Sequence, residues 1–96
     1  MKKGIVINVL TDKGRQALQK HLSDKRKEGL KNRILYRQAF EERQTQKDGE
    51  LDSLIIIPKH RYITAEGALP IAHDMMIANG AKDKKDFTIG TIGGDE

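Results

Sequence analysis

Residues 51–58 read Leu-Asp-Ser-Leu-Ile-Ile-Ile-Pro, the densest run of β-branched residues in the chain. Runs of this kind favour strands that are packed on at least one face. The closing proline cannot donate a backbone hydrogen bond to a sheet, so it marks the end of the strand. We interpret this stretch as the central strand and place the other elements by how they would pair with it or cover it.

The dipeptide Asp48-Gly49 directly precedes this strand. It is a preferred two-residue hairpin turn, because both positions can adopt a positive φ. Residues 33–47 before it are ambiguous, since their apolar side chains fit one face of a strand or a stripe along a helix. The turn favours the strand. The sequence therefore predicts a hairpin whose polar tip, about residues 41–52, extends beyond the core.

Two further strands and two helices complete the pattern: strands over residues 4–10 and 87–92, and helices over residues 13–28 and 70–79. Thr11 or Asp12 can cap the first helix, and Gly29 can stop it in a left-handed conformation. Pro70 fits the first turn of the second helix, where its missing N–H costs nothing. An earlier helical turn that starts at Ala65 is the alternative.

The resulting order is strand, helix, strand, strand, helix, strand. This order resembles the ferredoxin-like βαββαβ sandwich, an α+β arrangement in which a four-stranded antiparallel sheet carries two helices on one face. The first and third strands form the inner pair there, and they are the two most apolar strands of this chain. We predict a single domain over residues 1–96, with a flexible tail at about residues 93–96.

Composition sets limits on function. The chain has 96 residues, of which 36% are hydrophobic and 33% charged, so the core is lean and the surface highly charged. It contains no cysteine, which excludes disulfides, thiolate metal sites and cysteine nucleophiles. No apolar run approaches the roughly 20 residues that a membrane-spanning helix needs. We expect a cytoplasmic protein with no membrane association.

Positive charge is concentrated in one part of the chain. Residues 13–37 carry seven net positive units, against four for the whole chain. Such an asymmetry attracts anionic partners, and we expect a polyanion such as RNA or DNA to bind the basic first helix. The candidate contact residues are Lys20, Lys25, Arg26, Lys27, Lys31 and Arg33. The two inner strands hold no aromatic residue, which argues against base stacking of the kind that RNA-recognition domains use.

Residues with catalytic potential do not form a recognisable motif. His60 and His73 fall in different predicted elements and lack the spacing of metal ligands. Ser23 and Ser53 have no nucleophile-elbow glycines around them. The glycines near the C-terminus are not followed by a helix, so they form no phosphate-binding loop. We predict no enzyme activity, no metal ion and no cofactor.

Two functional hypotheses remain. The first is a small non-catalytic binding or adaptor domain for a polyanion. The second is a self-associating regulatory domain that binds a small ligand between protomers, an interpretation based on analogy of fold. Since the second and fourth strands would be the edges of the sheet, a homodimer could form through an edge strand.

Overall fold

A computed structural model describes residues 3–24 and 36–93. These residues form four strands, three helices and one 3₁₀ turn. In chain order the elements are β1 (Gly4–Val9), α1 (Asp12–Ser23), α2 (Tyr36–Ala39), β2 (Phe40–Lys47), β3 (Glu50–Pro58), the 3₁₀ turn (Ala65–Ala68), α3 (Leu69–Ala78) and β4 (Phe87–Ile92). The chain is a mixed α+β protein.

The four strands form one antiparallel sheet in the order β2-β3-β1-β4. The first and third strands are therefore the inner pair, as their apolar content predicted. Ile5 lies opposite Ile56 and Ile7 opposite Leu54, and all four side chains are fully buried. Because side chains alternate along a strand, these four lie on one face. Leu18 of α1 and Met76 of α3 join them in the core.

The predicted hairpin is confirmed. Asp48 and Gly49 form its turn, with φ angles of 54° and 79°, and β2 pairs with β3 on either side. The register shifts between Thr45 and Gln46, which is a bulge that adds one residue to β3. The extra residue turns Leu51 towards the core, and Leu51 is buried although most of the surrounding tip is exposed.

The first helix ends earlier than predicted. It stops at Ser23, and Asp24 is already extended, with φ −77° and ψ 113°. The buried face of the helix is made by Gly14, Ala17, Leu18 and His21, and residues 23–28 of the sequence contain no apolar residue that could extend it. The prediction of a helix through residue 28 is wrong at residue 24. Its last part and the stop at Gly29 lie outside the described residues.

The start of the second strand also differs from the prediction. Tyr36–Ala39 is a short helix, and the strand begins only at Phe40. Tyr36 and Ala39, three residues apart, are both buried on the same side of this turn. A strand would have placed them on opposite faces. Residues 32–35 lie outside the described part of the chain.

The region around Pro70 combines the two alternatives. A 3₁₀ turn starts at Ala65, and α3 follows directly with Pro70 in its first turn. The last strand has the predicted bounds. Of the predicted flexible tail, only Gly93 falls within the described residues.

Asp86 fastens the end of β1 to the start of β4. Its Oδ1 accepts a hydrogen bond from the Thr11 hydroxyl at 2.6 Å, and its Oδ2 accepts one from the Lys82 N–H at 2.9 Å. Its backbone carbonyl accepts from the Leu10 N–H at 2.9 Å. The Thr11 hydroxyl also accepts from the Gly14 N–H and so caps α1. These hydrogen bonds, that of Thr11 foremost, hold the pKa of Asp86 below its usual range.

We expect Gly14→Ala to destabilise the fold. A Cβ at this position would overlap the backbone carbonyl oxygen of Asp86. Helix α1 and the loop that precedes β4 would therefore have to move apart. Overpacking of this kind costs about 2 kcal/mol or more. Gly67→Ala is the control, because its Cβ would meet Phe40 at an ordinary 3.8 Å. Urea unfolding measures both, and equal stability of the two variants would contradict the close approach.

Asp86→Asn should lower stability in a pH-dependent manner. The folded-state pKa of Asp86 is depressed, so the carboxylate stabilises the fold above its unfolded pKa of about 3.9. That contribution is lost as the pH falls through the folded-state pKa. The gap between wild type and variant in urea unfolding should be large at neutral pH and shrink in acid. Asp48→Asn, which also removes an exposed carboxylate but keeps a preferred turn sequence, is the control for the substitution itself. A gap between wild type and Asp86→Asn that stays constant with pH would contradict the role of the carboxylate.

Candidate functional site

One of the six predicted polyanion-binding residues lies in the described part of the chain. Lys20 is exposed in the last turn of α1. The other five fall outside the described residues: Lys25, Arg26, Lys27, Lys31 and Arg33. We refer to residues 25–35 as the basic segment. The structure does describe the residues on either side of it, Asp24 before it and Tyr36 after it, and we call these its departure points.

A buried cluster of His21, Tyr36 and Glu42 lies at these two points. His21 is fully buried, and its Nε2 lies 3.1 Å from Oε2 of Glu42. The Tyr36 hydroxyl donates to the same oxygen at 3.0 Å. The rings of His21 and Tyr36 meet edge to face with centroids 6.4 Å apart. We refer to these three residues as the His–Tyr–Glu cluster.

The Tyr36 hydroxyl is a fixed donor within the cluster. Burial, and then the negative charge of Glu42, raise the pKa of Tyr36 far above its usual value. The hydroxyl therefore remains a hydrogen-bond donor across the physiological range. The contact between His21 Nε2 and the same Glu42 oxygen is a hydrogen bond in the tautomer that carries its proton on Nε2. In that tautomer the Glu42 oxygen accepts hydrogen bonds from both neighbours, which offsets the cost of its burial.

Each member is positioned by its own element. His21 continues the buried face of α1 one turn after Ala17 and Leu18. Glu42 lies opposite Ile56 in the sheet, so it points to the face that the helices cover. A carboxylate on that face needs donors. The short helix α2 provides one by directing the Tyr36 hydroxyl back over the first residues of β2.

The cluster does not follow from the sequence predictions. They place Glu42 in a polar hairpin tip beyond the core and include His21 in no candidate site. A signal is nevertheless present, because Phe40 and Glu42 share one strand face and His21 falls on the apolar side of α1. A titratable residue in each of two covered positions indicates a buried polar pair.

An open cavity of about 300 Å³ adjoins the cluster. It is lined by Leu22, Tyr36, Arg37, Phe40, Glu41, Glu42, Gln44 and Lys59. The Lys59 ammonium donates to the backbone carbonyl of Arg37 at 2.6 Å, and both side chains are exposed at the rim. Glu41 is engaged by the guanidinium of Arg43. Exposed cations therefore stand beside the departure points of the basic segment.

The other residues considered for chemistry lie apart from this cavity. His73 is 3.4 Å from Asp83 and 3.6 Å from Asp74. His60 is exposed after β3. Within residues 3–24 and 36–93 no three potential ligands are grouped to hold a metal ion. The Ser23 hydroxyl donates to a backbone carbonyl in its own helix, and that of Ser53 is paired with Thr45.

Comparisons with protein families, with curated proteins and with solved structures found no match to this chain. None of the helices in the described ranges is both long and apolar enough to cross a bilayer. We therefore infer a function from the geometry and charge of the chain itself.

Tyr36→Phe should destabilise the fold by about 1–2 kcal/mol, because it removes a donor from a buried carboxylate. In a Glu42→Gln background the loss of stability should be smaller, since a hydroxyl bonds a neutral amide oxygen less strongly than a carboxylate. A double-mutant cycle by urea unfolding measures the coupling. Tyr62→Phe is the control, because Tyr62 is 88% exposed. Similar effects of the two substitutions would show that the Tyr36 hydroxyl contributes nothing.

Proposed function

We propose that the chain is a small non-catalytic binding or adaptor domain that binds a polyanion, such as RNA or DNA, through the basic segment between α1 and α2. We further propose that its fold is ferredoxin-like. The strand order β2-β3-β1-β4, with helices in the β1–β2 and β3–β4 connections, supports this assignment.

One observation carries the functional proposal. The contact between His21 and Tyr36 brings together the two ends of residues 25–35, a segment with five basic residues and one acidic residue. The described chain therefore leaves for these residues and returns from them at one place on the domain. Lys20, Arg37 and Lys59 add exposed positive charge around the same departure points. Charge concentrated in this way produces a local field that attracts anions.

Two carboxylates in this region are engaged by neighbouring groups. The Glu42 side chain is 15% exposed and accepts hydrogen bonds within the cluster. Glu41 forms its ion pair with Arg43 on the same strand. Arg37 and Lys59 line the cavity beside these two carboxylates. The excess positive charge of the region therefore comes from Lys20 and residues 25–35, and not from the cavity.

The ligand class follows from how the charges are distributed. The basic residues are spread over the segment, and the cavity beside it is lined by both signs of charge. A ligand with many phosphates can contact such residues in turn, each contact releasing condensed counterions. The inner strands β1 and β3 carry no aromatic side chain for stacking. Recognition is therefore expected to use the phosphate backbone and to depend little on base sequence.

Charge reversal of the segment tests the proposal. A Lys25→Glu, Arg26→Glu, Lys27→Glu triple variant should bind a fluorescent duplex DNA and a single-stranded RNA at least 10-fold more weakly at moderate salt. Phosphate contacts are this strong because screening six to ten of them, by raising salt from about 50 to about 200 mM, lowers affinity by about 10³–10⁵. For duplex DNA, the slope of log affinity against log salt should fall by about 0.9 for each phosphate that the variant no longer neutralises. Fluorescence anisotropy at several salt concentrations measures both.

The matched control is Lys47→Glu, Lys82→Glu, Lys84→Glu, which removes the same positive charge from exposed residues elsewhere in the chain. It should retain most of the binding. Equal weakening in both triple variants would indicate a response to net charge alone. Undiminished binding by the first variant, with a normal thermal melt, would rule out the segment as the binding surface.

A further inference from the structure

In the part of the chain that the structure describes, the outer side of β4 is an edge of the sheet. On its inner side β4 pairs with β1, and within the described ranges no named strand pairs with its outer side. The strand reads Phe-Thr-Ile-Gly-Thr-Ile, without a charge or a proline. β2, the opposite edge, carries four charged residues and lies beside a bulge. Charges and bulges are the devices that keep edges from pairing, and β4 lacks both.

The register shows which backbone groups face outward. The Leu10 N–H donates to the carbonyl of Asp86 at 2.9 Å, one position beyond the pair of Val9 with Phe87. Hydrogen-bonded and non-bonded pairs alternate along an antiparallel ladder. Thr88, Gly90 and Ile92 therefore bond towards β1. The N–H and C=O groups of Ile89 and Thr91 point away from the sheet.

The open part of this edge is symmetric about one residue. On one side it ends at Phe87, whose carbonyl accepts the Lys84 N–H at 2.8 Å. On the other side Gly93, with φ 72°, turns the chain away from the strand direction. Residues 88–92 remain, and Gly90 is their centre. The two outward-bonding residues, Ile89 and Thr91, lie on either side of it.

We propose that this edge binds a second copy of the chain, with the two β4 strands antiparallel about a two-fold axis at Gly90. Ile89 of one copy then faces Thr91 of the other, and each of these pairs exchanges both of its N–H···O bonds. The two glycines meet on the axis in the closely spaced, non-bonded pair, where Cα atoms are about 4.5 Å apart. The result is one continuous sheet through both copies.

A second copy is compatible with this edge in both hydrogen bonding and charge. A two-fold operation about Gly90 matches each outward donor with an acceptor, and it brings no like charges together because residues 88–92 are uncharged. Cyclic dimers are also the commonest assemblies of identical chains. The seam spans only five residues, which is short against the roughly 1,200 Å² or more that stable interfaces bury. The dimer is therefore expected to be weak and to depend on concentration.

Cysteine cross-linking tests the axis directly, because the chain has no cysteine of its own. A Cβ at Gly90 would meet only Val6 Cγ1, at an ordinary 3.9 Å, so Gly90→Cys should fold. Cβ atoms of directly opposed residues lie about 4.5–5.5 Å apart, within reach of a slightly adjusted disulfide. Mild oxidation should yield a covalent dimer on a non-reducing gel.

Thr88→Cys is the matched control. Thr88 lies on the same strand and the same face, two residues from the axis, so the two thiols would be roughly 13 Å apart at about 3.4 Å per residue. It should cross-link at least 10-fold more slowly than Gly90→Cys. Equal rates for both variants, or no covalent dimer with Gly90→Cys at the highest attainable concentration, would overturn the proposal.

Opposite charges at the axis provide a second test. Gly90→Lys and Gly90→Glu should each sediment as monomers at concentrations where the wild type associates, because like charges would meet at the axis. An equimolar mixture should associate again. A wild type that sediments as a monomer throughout, or a mixture that stays monomeric, would refute the pairing. Polyanion binding by the monomeric variants is measured separately and is not expected to change.

Discussion

The pairing of β1 with β3 determines most of this structure. It aligns Ile5 with Ile56 and Ile7 with Leu54 in one fully buried layer. Because a shift of one residue would turn every one of these side chains to the other face, the layer specifies its own register. The hairpin then transmits that register to β2 and places Glu42 opposite Ile56. Because Glu42 is paired with Ile56, its carboxylate lies on the same helix-covered face as the Ile56 side chain.

The buried carboxylate in turn explains the short helix before β2. An uncompensated charge at this depth would be costly, and a hydrogen bond to a charged group contributes about 1.5–3 kcal/mol. Tyr36 supplies one donor, and His21 supplies another in the tautomer protonated at Nε2. Their ring contact also brings together the described residues on either side of the basic segment. The sheet register and the buried cluster are therefore successive consequences of one strand pairing.

Features that depend on neighbouring residues could be predicted from the amino-acid sequence, and features that depend on distant contacts could not. The central strand, the turn at Asp48 and Gly49, and Pro70 in a first helical turn follow from local chemistry, and the structure has all three. The helical turn at Tyr36 and the end of α1 depend on contacts between distant residues, which local patterns do not contain. The His–Tyr–Glu cluster could not be predicted for the same reason. Each member looks ordinary until the sheet brings Glu42 beneath the helix.

A tethered basic segment differs physically from a basic tail. A disordered tail loses conformational entropy along its whole length on binding, and that entropy cost subtracts from affinity. A segment held at both ends has fewer arrangements available before it binds, because closing a loop of this length has already restricted the chain. The buried cluster supplies the closure through His21 and Tyr36, neither of which needs to touch the ligand. Under the proposed function, loosening the cluster should therefore weaken polyanion binding even though every cation is retained.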